Sequence, residues 1–171
     1  MKSSINYSLY IIVIIISFVI TISFSGDESI LAFDSELKHQ FWRLISAHFQ
    51  HHNWFHMISN MLTFGLIIYL FKINVIQQLL VISISMLMVN VFLFNYLDGI
   101  YVGFSSLNYG LLTFGILNQF KRIKHLPVIV LFISGYLFYL SPQILLIDSQ
   151  WTPLVEAHMI GITCGVVLRK F

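Results

Sequence analysis

Residues 54–71 read Trp-Phe-His-Met-Ile-Ser-Asn-Met-Leu-Thr-Phe-Gly-Leu-Ile-Ile-Tyr-Leu-Phe, a run without formal charge that is close to the ~20 residues a helix needs to cross a bilayer. Runs of the same kind recur along the 171 residues, of which 58% are hydrophobic and only 9% charged. Such a composition excludes a water-soluble core inside a solvated shell, and it leaves no long polar region for a separate soluble domain. A single multi-span membrane domain over residues 1–171 is the economical expectation.

Six spans are expected, over about 7–24, 54–71, 75–97, 104–120, 127–147 and 154–168, all helical because a helix satisfies its own backbone in lipid. The fold class is therefore an all-α membrane bundle of six transmembrane helices. The first span has a long apolar run and no small-residue cleavage pattern, so it is expected to be retained rather than removed as a signal peptide. Pro142 interrupts the fifth span, where it removes a backbone donor, and together with Gly135 it makes that span a candidate gate. Residues 25–53 form a long external loop with Phe33, Phe41, Trp42 and Phe49 among its charges, a pattern suited to the outer membrane interface. The one cysteine, Cys164, excludes an internal disulfide.

Charge sets the orientation, since short loops rich in Lys and Arg stay in the cytoplasm. On this span count Lys2, Lys72, Lys121, Arg122, Lys124, Arg169 and Lys170 share one side. Asp27, Glu28, Asp34, Glu36, Asp98, Asp148 and Glu156 fall on the other, with Lys38 and Arg43 as the basic exceptions. Both termini are thus expected in the cytoplasm.

Polar groups inside spans are costly and face the protein interior or a water-filled cavity. His56 and Asn60 are four residues apart and share a helical face, either as packing glue or as donors to a common acceptor. Ser105 precedes Lys121 by sixteen residues and His56 precedes Lys72 by sixteen, placing both roughly 24 Å from the inner face at 1.5 Å per residue. Asn60 and His158 each lie twelve residues from a closing lysine, roughly 18 Å from that face. Ser106 and Gly110 on one span, and Ala157, Gly161 and Gly165 on another, form small-residue stripes that let two helices approach closely. Ser105 and His158 could then meet as a nucleophile and its general base, a Ser-His dyad. Glu156 points away from His158 and completes no triad. His56, Asn60 and the backbone amide of Ser105 are the available oxyanion donors, and Tyr109 could orient the base. His48, His51 and His52 form a histidine-rich cluster, but without an HExxH arrangement or an adjacent carboxylate no metal and no other cofactor is expected.

Trp42-Arg43, His51, His56 and Asn60, Gly103-Phe104-Ser105 with Tyr109, and Ala157-His158 with Gly161 and Gly165 together resemble the rhomboid family of intramembrane serine proteases. The Tyr101-Val102-Gly103-Phe104-Ser105 and Val155-Glu156-Ala157-His158 contexts look closest to its rhombosortase branch. The resemblance implies a rhomboid-like bundle with Ser105 as nucleophile, His158 as base, and His56 and Asn60 stabilising the oxyanion. It implies that Tyr109 packs against the histidine and that Gly103, His51 and the Trp42-Arg43 pair support the site. The substrates implied are membrane-anchored proteins, cut near the outer, periplasmic side, including exported proteins that end in a Gly-Gly motif, a membrane helix and a basic tail. The partners are then transmembrane substrates and the lipid bilayer, with no nucleic acid, and the location is the bacterial inner membrane. The pattern departs from the family at Ser106, where glycine is usual, and from the rhombosortase branch at Tyr109, where most rhombosortase-like sequences carry histidine, which leaves a general rhomboid as the alternative. The alternative class is a non-catalytic rhomboid-like protein that binds client helices, although such proteins typically lack the serine or the histidine that this chain has.

Overall fold

The computed structural model describes residues 7–24, 30–119 and 154–170. It is mostly helical: α1 is Ser8–Ser23, α2 the single turn Arg43–Ser46, α3 Trp54–Phe71, α4 Val75–Tyr96, α5 Ser105–Gln119 and α6 Val155–Leu168. The expected fifth span at 127–147, with Gly135 and Pro142, lies outside the described residues. Among the described residues α3 and α4 are long and apolar enough to cross a membrane, and α1 and α6 are shorter apolar helices.

Side-chain caps define where the long helices begin. Asn53 Oδ1 accepts the His56 amide at 2.8 Å at the start of α3. At α4, Asn74 and Gln77 form a reciprocal capping box that satisfies two amides the helix leaves unpaired. Lys72 closes α3 in a left-handed conformation with φ of 49°, which turns the chain sharply into α4.

The described surface is far more apolar than a soluble protein's. Ile11, Ile12, Ile15, Phe18, Val19 and Ile22 of α1 are exposed, as are Leu62, Tyr69, Ile76, Leu87 and Val167 on other helices. An apolar exterior of this extent suits lipid as the solvent. The least apolar of the long helices described, α5, which carries Ser105, Ser106, Asn108, Thr113 and Gln119, sits instead at the centre and packs against α3, α4 and α6. Its closest partner is α6, because a Cβ at Gly161 would overlap the Ser106 carbonyl and one at Gly165 the Gly110 carbonyl. The aliphatic and aromatic core beneath includes Phe64, Ile67, Ile68, Phe104, Leu107, Leu111 and Phe114.

The all-α expectation omits one feature. Phe33–Asp34 (β1) pairs antiparallel with Ile100–Tyr101 (β2), Phe33 opposite Tyr101 and Asp34 opposite Ile100. Strands of two residues carry no alternation that a sequence reading could detect. This ladder ties residues 30–53 to the segment that leads into α5. Arg43, grouped with the basic exceptions of an external loop, is buried there: its Nη1 donates to the Ala32 carbonyl at 2.8 Å and its Nε to Gln40 Oε1 at 2.6 Å. Trp42 beside it is exposed.

Candidate active site

The segment from Tyr101 to Ser105 is held by backbone geometry before any side chain acts. Gly103 has φ of 115°, a conformation that glycine adopts without a Cβ penalty, and its amide donates to the Ala47 carbonyl at 2.8 Å. A Cβ on Gly103 would lie 2.9 Å from His56 Cε1, so the missing side chain is what admits the imidazole. Ser105 is the first residue of α5, where backbone amides have no partner within the helix.

Ser105 Oγ and His158 Nε2 lie 2.8 Å apart, and each residue is 7% exposed. The close α5–α6 contact at Gly161 and Gly165 creates this proximity, since bulkier residues would hold the two backbones apart. Tyr109, one turn along α5, packs its ring against His158 with centroids 4.7 Å apart. Glu156 is exposed and His158 buried, so the carboxylate lies on the outer face of α6. A hydroxyl bonded to an imidazole acceptor is the arrangement that turns a weak nucleophile into an effective one.

His56 stands beside this pair, its ring against Gly103 and 5.0 Å from that of His51, centroid to centroid. His51 Nδ1 is 3.0 Å from the Phe49 carbonyl, an interaction that orients the ring within the loop. Asn60 is turned inward: its Nδ2 donates to the His56 carbonyl at 3.1 Å, back along its own helix. Thus His158 touches both Ser105 and Tyr109, His56 lies against Gly103 beside them, and one amide hydrogen of Asn60 is committed within α3.

Several contributors were not singled out from the sequence as site residues. Asn108 is buried on α5, and its Nδ2 donates to both the carbonyl and Oδ1 of Asn60, at 2.9 and 3.3 Å. Its signal was available, as a polar residue three positions after Ser105 in an apolar span. Tyr101 is buried with its hydroxyl 2.8 Å from Ser106 Oγ, 3.1 Å from the Gly103 carbonyl and 3.4 Å from His48 Nδ1. His48 Nε2 in turn lies 2.9 Å from Asn90 Oδ1 on α4. Both nitrogens of His48 are therefore engaged by organic partners.

Burial is the main influence on the loop histidines. It depresses His48 to about 4, only partly opposed by the Asn90 hydrogen bond. His51 is held well below the ordinary imidazole value, first by burial and then by its histidine neighbours. Burial raises the Tyr101 phenol, against a smaller opposing effect of the Ser106 hydrogen bond. His48, His51 and Tyr101 are thus neutral at pH 7.

A family model described as Rhomboid domain matches residues 38–171, well over half of the chain and the whole of the region just described. No curated protein matches the sequence.

Proposed function

The chain belongs to the rhomboid family, in general serine peptidases that work within the bilayer, and from that premise we propose that it is an active intramembrane endopeptidase with a Ser105-His158 dyad. The observation that carries the reading is the 2.8 Å approach of Ser105 Oγ to His158 Nε2. A non-catalytic client binder has no need of a serine and an imidazole in register on two helices.

In this reading His158 Nε2 removes the proton as Ser105 Oγ attacks the scissile carbonyl. The developing oxyanion is met by the Ser105 amide at the start of α5 and by the His56 side chain, with Asn60 supporting from below. His158 then returns the proton to the leaving amine, and water resolves the acyl-enzyme by the reverse path. Tyr109 restrains the imidazole by packing. Arg43 and His51 hold the loop, while Gly103 seats His56. The reading takes the chain as six spans with both termini in the cytoplasm, which puts the dyad in the outer half of the membrane and has substrates cut near the periplasmic side. The rhombosortase-like contexts around Ser105 and His158 favour membrane-anchored substrates that carry a Gly-Gly motif, a helix and a basic tail.

The test is cleavage of a tagged substrate of that design in proteoliposomes by wild type, Ser105→Ala, Ser106→Ala and His158→Ala. Product is expected to vanish with Ser105→Ala and with His158→Ala, and to persist with Ser106→Ala. Equal cleavage by wild type and Ser105→Ala would sink the assignment.

A further inference from the structure

Two adjacent serines open α5, and the chemistry requires that only one of them meet the base. They leave a helix about 100° apart, and the structure gives each a different partner: Ser105 bonds His158, whereas Ser106, fully buried, bonds Tyr101. A buried hydroxyl without a partner bonds a carbonyl of the preceding turn instead, competing with the local backbone. Here that preceding turn is the segment that presents the nucleophile.

The same phenol also holds that segment. Its one hydrogen lies between two acceptors, the Gly103 carbonyl at 3.1 Å and His48 Nδ1 at 3.4 Å, while its oxygen is free to accept from Ser106 Oγ. The Asn90 oxygen facing His48 Nε2 assigns the proton of neutral His48 to that nitrogen, which turns a bare Nδ1 toward the phenol. Through β2, paired with β1, Tyr101 is anchored to the loop. One side chain thereby links the loop, the positive-φ glycine and the residue next to the nucleophile.

We infer that Tyr101 is a positioning residue for the proposed nucleophile: its phenol holds the Ser106 hydroxyl and the Gly103 carbonyl together, so that Ser105 alone faces His158. The inference rests on the peptidase reading above. It also accounts for a serine at the position where glycine is usual, because the phenol supplies the partner that the extra hydroxyl requires.

The experiment is steady-state cleavage in proteoliposomes by Tyr101→Phe, Ser106→Ala and the double variant, with thermal melting of each and peptide mapping after fluorophosphonate labelling. Tyr101→Phe is expected to lower kcat about 10-fold with KM within about twofold, since a small misplacement of reacting groups costs rate rather than binding. Ser106→Ala keeps the Tyr101–Gly103 bond and is expected within about threefold of wild type, labelled at Ser105. Adding Ser106→Ala to Tyr101→Phe is expected to recover part of the loss, because no orphaned hydroxyl remains to compete. An unchanged kcat in Tyr101→Phe, or the same fractional loss in both serine backgrounds, overturns the role and leaves the ring as packing. If Tyr101→Phe does not fold, a roughly tenfold loss in Ser106→Ala overturns it from the other side of the bond. Cleavage by Ser105→Ala instead overturns the peptidase reading beneath, a result distinct from all of these.

Discussion

On the peptidase reading, Gly161→Ala tests whether helix contact sets the distance between Ser105 and His158. The added Cβ would overlap the Ser106 carbonyl oxygen, which belongs to the backbone of α5 and has no rotamer by which to move away. Restoring van der Waals contact requires α6 to retreat from α5 by roughly 1 Å or more at this level. His158 is three residues, less than one turn, from Gly161 and moves with it. Its 2.8 Å hydrogen bond to Ser105 then opens to nearly 4 Å, beyond the range in which a proton is shared. General-base assistance is worth about 10²–10⁴-fold, and a 1 Å misplacement alone about 10²-fold, so kcat should fall at least 100-fold. The assay is initial cleavage rate in proteoliposomes beside the melting temperature, with Thr163→Ala on the exposed face of α6 as the control. A Gly161→Ala protein that cleaves within about threefold of wild type would refute the argument that the glycine contact sets the catalytic distance.

Other consequences are equally direct. Gly103→Ala places a Cβ at positive φ and against His56, so activity should drop by about 10²-fold through the displaced donor, with a melting shift worth about 1–3 kcal/mol; normal activity would show that His56 needs no seat there. Asn108→Ala removes the donor to Asn60 and should destabilise the protein by about 1–3 kcal/mol, read as a lower melting temperature, whereas an unchanged melt would count against that link between α3 and α5. His48 is held at about 4 against an ordinary 6.5, so between those values the unfolded chain binds a proton that the folded chain does not. Stability is then full above pH 6.5 and falls toward pH 4, by on the order of 3 kcal/mol, and His48→Gln should flatten that slope. An identical slope in His48→Gln would assign the acid sensitivity elsewhere.

What could be read from the sequence was governed by period and charge. Apolar runs long enough for helices, closed by lysines or caps, correspond closely to α1, α3, α4, α5 and α6 because each such helix is specified locally. Ser105 and His158 stood out since a polar group in an apolar helix is costly and demands a reason. Tyr101 entered only as part of the motif around Ser105, because nothing in the sequence shows that its hydroxyl turns inward to Ser106 and the Gly103 carbonyl. The role of Arg43 in the loop was legible only through the family resemblance, because a cation in a loop is ordinarily solvated and its partners, the Ala32 carbonyl and Gln40 Oε1, are brought to it by the fold. The β1–β2 pairing joins residues more than sixty positions apart through two-residue strands, a long-range contact without a local signature.

The polarity of α5 also bears on how the protein is made. A segment with two serines, two asparagines, a threonine and a glutamine gains little by partitioning into lipid alone, and its fifteen residues, about 22 Å of helix, fall short of a ~30 Å hydrocarbon core. Its stability in the membrane comes from α3, α4 and α6, the last of which is synthesised after it. The contact between Ser105 and His158 therefore forms only once α6 has packed against α5.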